Sequence, residues 1–173
     1  MDAEQFARIY DTHYSRVFRY LLGRTRNPHD AEELAADVFA TALESLERGA
    51  EPRQIGSWIV GIADHLASRF FRERMTEVEH AETSLGEEED PEELALGQLD
   101  SQALWQCFDT LSPEYRRILL LRVVAGLSAR EVAESMRKTE GAIRVLQFRA
   151  LKALRKSWME AERDDGRSRT TRP

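Results

Sequence analysis

A helix-turn-helix pattern over residues 127–156 constrains the fold of this 173-residue chain more than any other feature. Ser128 and Glu131 have the spacing of a capping box, in which a hydroxyl and a carboxylate satisfy the exposed backbone N–H groups at a helix start. The pattern predicts a short helix over Ala129–Met136, a two-residue turn, and a second helix capped by Thr139. In the helix-turn-helix geometry the second helix lies in the major groove of DNA.

The predicted second helix has an apolar and a basic side. Ile143, Leu146, Ala150 and Leu154 recur at helical spacing and predict a buried stripe. An isolated basic helix is as often a solvated surface as a DNA reader, but the paired caps and the preceding short helix favour DNA binding. The candidate DNA-binding residues of this segment are Arg137, Lys138, Thr139, Arg144, Gln147, Phe148 and Arg149.

The side chains of this set suit different parts of DNA. Arg144 is the candidate for a guanine edge, and Gln147 is the candidate for an adenine edge. Phe148 suits a thymine methyl group, and packing against a neighbouring helix is an equal alternative. The other cations suit phosphates, namely Arg137, Lys138 and Arg149.

Charge is distributed unevenly along the chain. The net charge is −6, yet residues 98–158 carry 11 basic and 6 acidic side chains. Residues 76–97 carry nine acidic side chains and no Lys or Arg. The positive charge is therefore local to the helix-turn-helix segment, as expected of a DNA-binding surface.

The apolar spacing is helical almost throughout, which predicts an all-α fold of two small helical domains joined by a flexible acidic linker. We predict domains over residues 1–75 and 98–158, a linker over 76–97 and a disordered tail over 159–173. Helices are predicted to start at Asp2, at Asn27-Pro28 and at Ser112-Pro113. In the last of these, Val123 is expected to face inward.

Several function classes find no support in the composition. No stretch approaches the ~20 apolar residues that cross a bilayer, and the first residues lack the pattern of a signal peptide, so we expect a cytoplasmic chain that does not insert in membranes. Cys107 is the single cysteine and the four histidines lack metal-ligand spacing, which predicts neither metal nor cofactor. No catalytic set is present, so we expect no enzyme.

Three segments resemble the extracytoplasmic-function sigma factors, small bacterial subunits that direct RNA polymerase to promoters. They are Ala31–Phe39 (AEELAADVF), Trp58–Ala67 (WIVGIADHLA) and Leu111–Arg122 (LSPEYRRILLLR), followed by the helix-turn-helix pattern. The resemblance covers residues 4–157. It implies an alternative sigma factor whose C-terminal domain (region 4) reads the upstream (−35) element and whose N-terminal domain (region 2) opens the downstream (−10) element.

The resemblance also implies partners. Core RNA polymerase is expected to bind through its β′ clamp and β flap, promoter DNA is the second partner, and an anti-sigma factor often holds such proteins inactive. The resemblance places polymerase binding on one helix, at Glu32, Glu33, Leu34, Asp37 and Phe39. The acidic linker is expected to thread the polymerase channel, whereas its plain alternative is a solvated spacer.

Capture of unpaired bases needs stacking surfaces and cations. The available set in the N-terminal half is Trp58, His65, Arg69, Phe70, Arg72 and Arg74. Trp58 and Phe70 have the alternative of being core residues. The chain has Asp64-His65 where many relatives have Arg-Asn, and Asp64 is expected to repel phosphate. A dimeric helix-turn-helix regulator with an N-terminal sensor domain is the competing hypothesis for the whole chain.

Overall fold

The computed structural model describes the backbone of residues 2–78 and 101–170 and the side chains of residues 2–76 and 102–163. Seven α-helices and one π-helical turn make up this part of the chain, with no strand in it, so the predicted all-α fold is confirmed. Most of the predicted linker lies outside the described residues. The helices are α1 (Ala3–Thr25), α2 (Pro28–Glu47), α3 (Ile55–Val78), α4 (Ser101–Asp109), α5 (Pro113–Leu119), α6 (Ala129–Met136) and α7 (Glu140–Thr170), with the π-helical turn at Leu120–Val124.

The described residues divide into two compact units. The N-terminal unit contains α1 to α3 and also groups with Val124–Leu127, and the C-terminal unit contains residues 101–123 and 128–170. The exact domain boundaries expected from the sequence stay predictions.

In the N-terminal unit, three helices pack against one another. The predicted starts of its first two helices are confirmed, because Asp2 and Gln5 form a capping box and the Asn27 side chain accepts a hydrogen bond from the Asp30 N–H ahead of Pro28. The apolar stripes of the helices then meet in a core. Its fully buried members include Val17, Tyr20, Leu21, Ala31, Ala35, Val38, Ile59, Val60 and Ala63.

In the C-terminal unit, α7 is the central element, and α4, α5 and α6 all pack on it. The Thr110 hydroxyl lies 3.1 Å from that of Ser157, which ties the end of α4 to α7. The buried side of α7 centres on Ile143 and Ala150, both 0% exposed. The predicted apolar stripe is thus the side on which the three shorter helices pack, which leaves the other side of α7 in solvent.

The π-helical turn changes which residues after α5 face inward. A π-helix closes its hydrogen bonds over five residues instead of four, so each residue beyond it is rotated relative to an α-helical continuation. Leu120 and Leu121 are buried, whereas Val123 is 63% exposed. The prediction that Val123 faces inward was wrong, because it assumed an uninterrupted α-helical period.

The last helix is longer than expected. α7 continues to Thr170, so the backbone of the predicted disordered tail is helical up to that residue. The stretch between Trp158 and Gly166 contains no proline or glycine, and Ala, Glu and Arg in it are good helix formers. A helix already anchored over residues 143–154 therefore continues at little cost.

Candidate nucleic-acid interface

The helix-turn-helix segment has both of its predicted caps. The Ser128 hydroxyl accepts from the Glu131 N–H at 3.2 Å, and the Glu131 carboxylate accepts from the Ser128 N–H at 2.7 Å. Arg137 ends α6 in the left-handed conformation (φ 53°), which reverses the chain within the turn. Thr139 then caps α7, since its hydroxyl accepts from the Ala142 N–H at 3.2 Å. These local bonds fix the angle at which α7 leaves the turn.

The solvent side of α7 carries the predicted contacts to DNA. Arg144 and Arg149 are exposed, and Phe148 between them is 68% exposed. That exposure does not fit the alternative in which Phe148 packs against a neighbouring helix. The guanidinium of Arg144 is paired with the Glu140 carboxylate one turn earlier. An apolar ring flanked by cations is thus presented on a rigid helix.

Two predicted DNA contacts are engaged elsewhere in the C-terminal unit. Gln147 is half-buried, and its side-chain oxygen accepts a hydrogen bond from Arg122 Nε at 2.8 Å. This orientation fixes Gln147 toward the π-helical turn and does not leave it free to reach a base. Lys138 forms a 2.9 Å ion pair with Glu114 in the first turn of α5. Sequence reasoning missed Arg122, because its partner lies 25 residues further along the chain.

In the N-terminal unit, α3 presents an exposed polar side with His65, Arg69 and Arg72. Trp58 and Phe70 are half-buried, so each ring has one part in the core and another in solvent. The Arg74 guanidinium lies 4.7 Å from the centre of the Phe70 ring. All six residues predicted to meet unpaired DNA thus lie on one helix, with different degrees of exposure.

Arg74 also has a structural partner. It forms a 2.9 Å ion pair with Asp30, a carboxylate that is 8% exposed in the first turn of α2. The pair joins the C-terminal part of α3 to the start of α2. Arg69 is likewise paired, with Glu73 at 2.9 Å, so both cations already have a carboxylate partner within the unit.

Asp64 has a role that the sequence did not predict. Its carboxylate is 2% exposed and accepts from the Tyr20 hydroxyl at 2.7 Å and from Arg24 at 2.9 Å. Burial raises the pKa of Tyr20 far above its ordinary value, so its hydroxyl stays protonated and donates to Asp64. The expectation that Asp64 repels phosphate was wrong, because a buried and paired carboxylate does not face DNA.

The polymerase-binding residues predicted on α2 fall into two groups. Glu32, Glu33 and Asp37 are exposed and form one acidic side of the helix. Leu34 and Phe39 are 7% and 3% exposed and lie in the core of the N-terminal unit. Direct contact of these two side chains with another protein does not fit their burial. Their place is to hold α2 so that its acidic side faces outward.

An aromatic cluster on α1 lies next to this acidic side. The Tyr10 and Tyr14 rings stack at 5.1 Å, Tyr14 and Phe18 at 5.9 Å, and Tyr10 lies 4.7 Å from Phe39 of α2. Partial burial, followed by the charges of Tyr10 and Glu32, raises the pKa of Tyr14. The acidic side of α2 is thus bordered by aromatic rings, a feature without a clear sequence signal because the contacts join two helices.

Among the described residues, no group of three or more His, Cys, Asp or Glu side chains is placed to hold a metal ion. None of the helices in the same part of the chain is long and apolar enough to cross a membrane.

Family models match both units. The model described as Sigma-70 region 2 matches residues 9–76, and the one described as Sigma-70, region 4 matches residues 101–154. The two regions in this order define a sigma factor, the class of protein that gives RNA polymerase its promoter specificity.

Similarity to curated relatives identifies the group of sigma factors to which the chain belongs. The chain is 35% identical over 158 residues to the ECF RNA polymerase sigma factor ShbA of Streptomyces griseus, with 80% of each chain covered. It is 35% identical over 159 residues to the ECF RNA polymerase sigma factor BldN of Streptomyces coelicolor, covering 88% of this chain and 60% of BldN. The chain therefore belongs to the extracytoplasmic-function RNA polymerase sigma factors, which direct promoter-specific transcription. This confirms the family that the sequence motifs resemble.

A solved structure shares the fold. The sigma factor RpoE, crystallised with the anti-sigma factor NepR from Bartonella quintana, matches with a TM-score of 0.79 over 90% of this chain and 97% of RpoE. The sequence identity is 19%, so this match supports the two-region helical fold.

Proposed function

We propose that this chain binds core RNA polymerase and directs it to a class of promoters, with α7 reading the upstream element as duplex and α3 capturing the downstream element as single strand. The exposed basic side of α7, held by two capped helix starts, is the observation that carries this proposal. A capped recognition helix with cations at its N-terminal half is the part of a helix-turn-helix protein that meets base edges.

Duplex reading is assigned to α7 for reasons of charge and shape. Arg144 can donate two parallel hydrogen bonds to the O6 and N7 atoms of guanine, a pattern that no other base pair presents. Phe148 offers an apolar surface for a thymine methyl, and Arg149 a cation for a phosphate. Because Gln147 is held by Arg122, we assign it to the support of α7 and not to adenine recognition.

Single-strand capture is assigned to α3. The half-buried rings of Trp58 and Phe70 are anchored on one side and open on the other, as a stacking surface for an extruded base requires. The exposed cations Arg69 and Arg72 suit the phosphates of the same strand. His65 adds a hydrogen-bonding ring on the exposed part of the helix.

Polymerase binding is assigned to the acidic side of α2, with the β′ clamp as its partner and the β flap as the partner of region 4. This side of the helix carries three exposed carboxylates, which attract and orient a basic surface of the partner: Glu32, Glu33 and Asp37. We propose that the chain works in the cytoplasm with polymerase, as a binding subunit without a chemical step of its own. The anti-sigma complex of RpoE extends the proposal to an anti-sigma partner for this chain.

Run-off transcription with purified core polymerase tests the proposal. Addition of the chain is expected to yield transcripts from discrete start sites on fragmented genomic DNA, and sequencing their 5′ ends defines the promoter. No start-site selection together with no binding to core polymerase would instead favour the dimeric regulator.

Reversing one charge on α2 tests the polymerase surface. Asp37→Arg is expected to weaken binding to core polymerase by tenfold or more, about 1.4 kcal/mol or above, because it opposes a complementary charge at the contact. Fluorescence anisotropy of the labelled chain with core polymerase measures the change. Glu47→Arg, the same change at an exposed position at the end of α2, is the matched control. Equal affinities for Asp37→Arg and the control would reject the assignment.

A further inference from the structure

The ion pair between Lys138 and Glu114 joins the DNA-facing turn to α5. Lys138 lies in the turn between α6 and α7, and its backbone N–H donates to the Ala133 carbonyl at 3.0 Å. Its ammonium reaches back to the Glu114 carboxylate at 2.9 Å. The two side chains are 36% and 43% exposed, so both remain accessible from solvent.

The position of the pair matters for DNA binding. The turn and the first residues of the second helix are where a helix-turn-helix protein meets the phosphates that flank its site. Lys138 is therefore placed to serve a phosphate. In the structure its ammonium is already paired with a carboxylate of the same unit, that of Glu114.

Glu114 also lies at a helix start. It follows Pro113 in the first turn of α5, where the positive end of the helix dipole favours an acid. A negative charge fixed beside the turn has two effects on an approaching duplex, since it competes with phosphate for Lys138 and also repels phosphate itself. Both effects are independent of base sequence, because phosphates carry no sequence information.

We propose that Glu114 is a specificity-determining residue that suppresses binding to non-promoter DNA by occupying Lys138. This inference rests on the proposed duplex reading by region 4. A lower sequence-independent affinity raises the ratio of promoter to non-promoter binding, and that ratio decides occupancy among many competing sites.

A double-mutant cycle tests the proposal on the full chain. The variants are Glu114→Gln, Lys138→Met and the pair, and the probe is a labelled duplex of random sequence at low ionic strength. Glu114→Gln is expected to tighten binding by about threefold to tenfold and to steepen the salt dependence by up to ~0.9 in log–log slope, since one more cation is free for phosphate. Lys138→Met is expected to weaken binding little in the natural chain but several-fold in the Glu114→Gln chain.

Controls separate this effect from net charge and from folding. Glu160→Gln removes the same charge from a carboxylate that lies 3.8 Å from Lys156 far along α7, and it is expected to change affinity less than twofold. Thermal unfolding of each variant monitors the fold. In holoenzyme, Glu114→Gln is also expected to reduce discrimination between the transcribed promoter and a duplex with its upstream element scrambled.

The outcomes distinguish the inference from the proposed function. Identical affinities of the natural chain and Glu114→Gln, or an equal effect of Lys138→Met in both backgrounds, would overturn the role of Glu114 while leaving duplex reading intact. If neither the natural chain nor Glu114→Gln bound any duplex, and holoenzyme ignored the upstream element, duplex reading by region 4 would itself fail.

Discussion

Replacing Asp64 by alanine is expected to lower the free energy of unfolding of the N-terminal unit by about 3–5 kcal/mol. The substitution leaves the guanidinium of Arg24, whose side chain is 12% exposed, without its counter-charge. It also removes the acceptor of the hydroxyl of Tyr20, which is 0% exposed. Losing one partner of a buried, hydrogen-bonded pair is among the most destabilising single changes. Urea unfolding, with hydrogen exchange of α1 and α3, measures the loss.

Two further variants show how much of the stability loss comes from the charge of Asp64 and how much any lost ion pair would cost. Asp64→Asn keeps an acceptor for Tyr20 but not the charge, so an intermediate loss is expected. Glu73→Ala breaks an exposed ion pair with Arg69 on the same helix, where both side chains are 61% exposed, and is expected to cost at most about 0.5 kcal/mol. A loss for Asp64→Ala no larger than for Glu73→Ala would show that the buried network contributes nothing to stability.

The second large effect is expected at the recognition helix. Arg144→Ala is predicted to weaken promoter binding by holoenzyme by about 1–3 kcal/mol and to relax base choice at one position of the upstream element. The side chain is 70% exposed and pairs with the surface carboxylate of Glu140, so the fold is expected to keep its stability. Binding to a set of promoters with each base pair changed in turn measures both quantities.

The dependence of the affinity loss on DNA sequence distinguishes base recognition by Arg144 from electrostatic attraction to phosphates. Arg155→Ala removes an exposed cation farther along α7 and is expected to weaken all duplexes alike, with a shallower salt dependence. If Arg144→Ala also weakened every sequence equally, Arg144 would be a phosphate contact and the assignment to a guanine would be rejected.

The helix starts show how much of the fold is local. Asp2, Asn27, Ser112, Ser128 and Thr139 each accept the backbone hydrogen bond that their position predicts. A cap is formed by residues within three positions of one another, so its chemistry can be read without knowing the rest of the molecule. The buried side of α7 was equally predictable, because a regular helix repeats its faces at a fixed interval.

The errors arose where that regular repeat changes or where a partner comes from far along the chain. Val123 is exposed because the π-helical turn rotates it away from the face that an α-helix would give it. No residue type in Leu120–Val124 predicts such a turn. Leu34 and Phe39 belong to the motif that resembles the polymerase-binding helix, but the helical spacing of its apolar residues predicts that both face inward, and their burial agrees with that spacing. A motif marks a segment and does not separate its supporting side chains from its contacting ones.

By itself, then, the sequence determined the all-α class, the positions at which the helices begin and the basic side of the recognition helix. Each of these features depends on neighbours within a few residues or on the fixed repeat of a helix, so it can be recognised from the order of residues along the chain. The tertiary structure alone decided the partners of those charged groups that meet across helices. Asp64 lies 40 residues from Arg24, and Lys138 lies 24 from Glu114. A carboxylate facing solvent and one neutralised in the core look the same in a sequence, because burial and pairing depend on which helices come together.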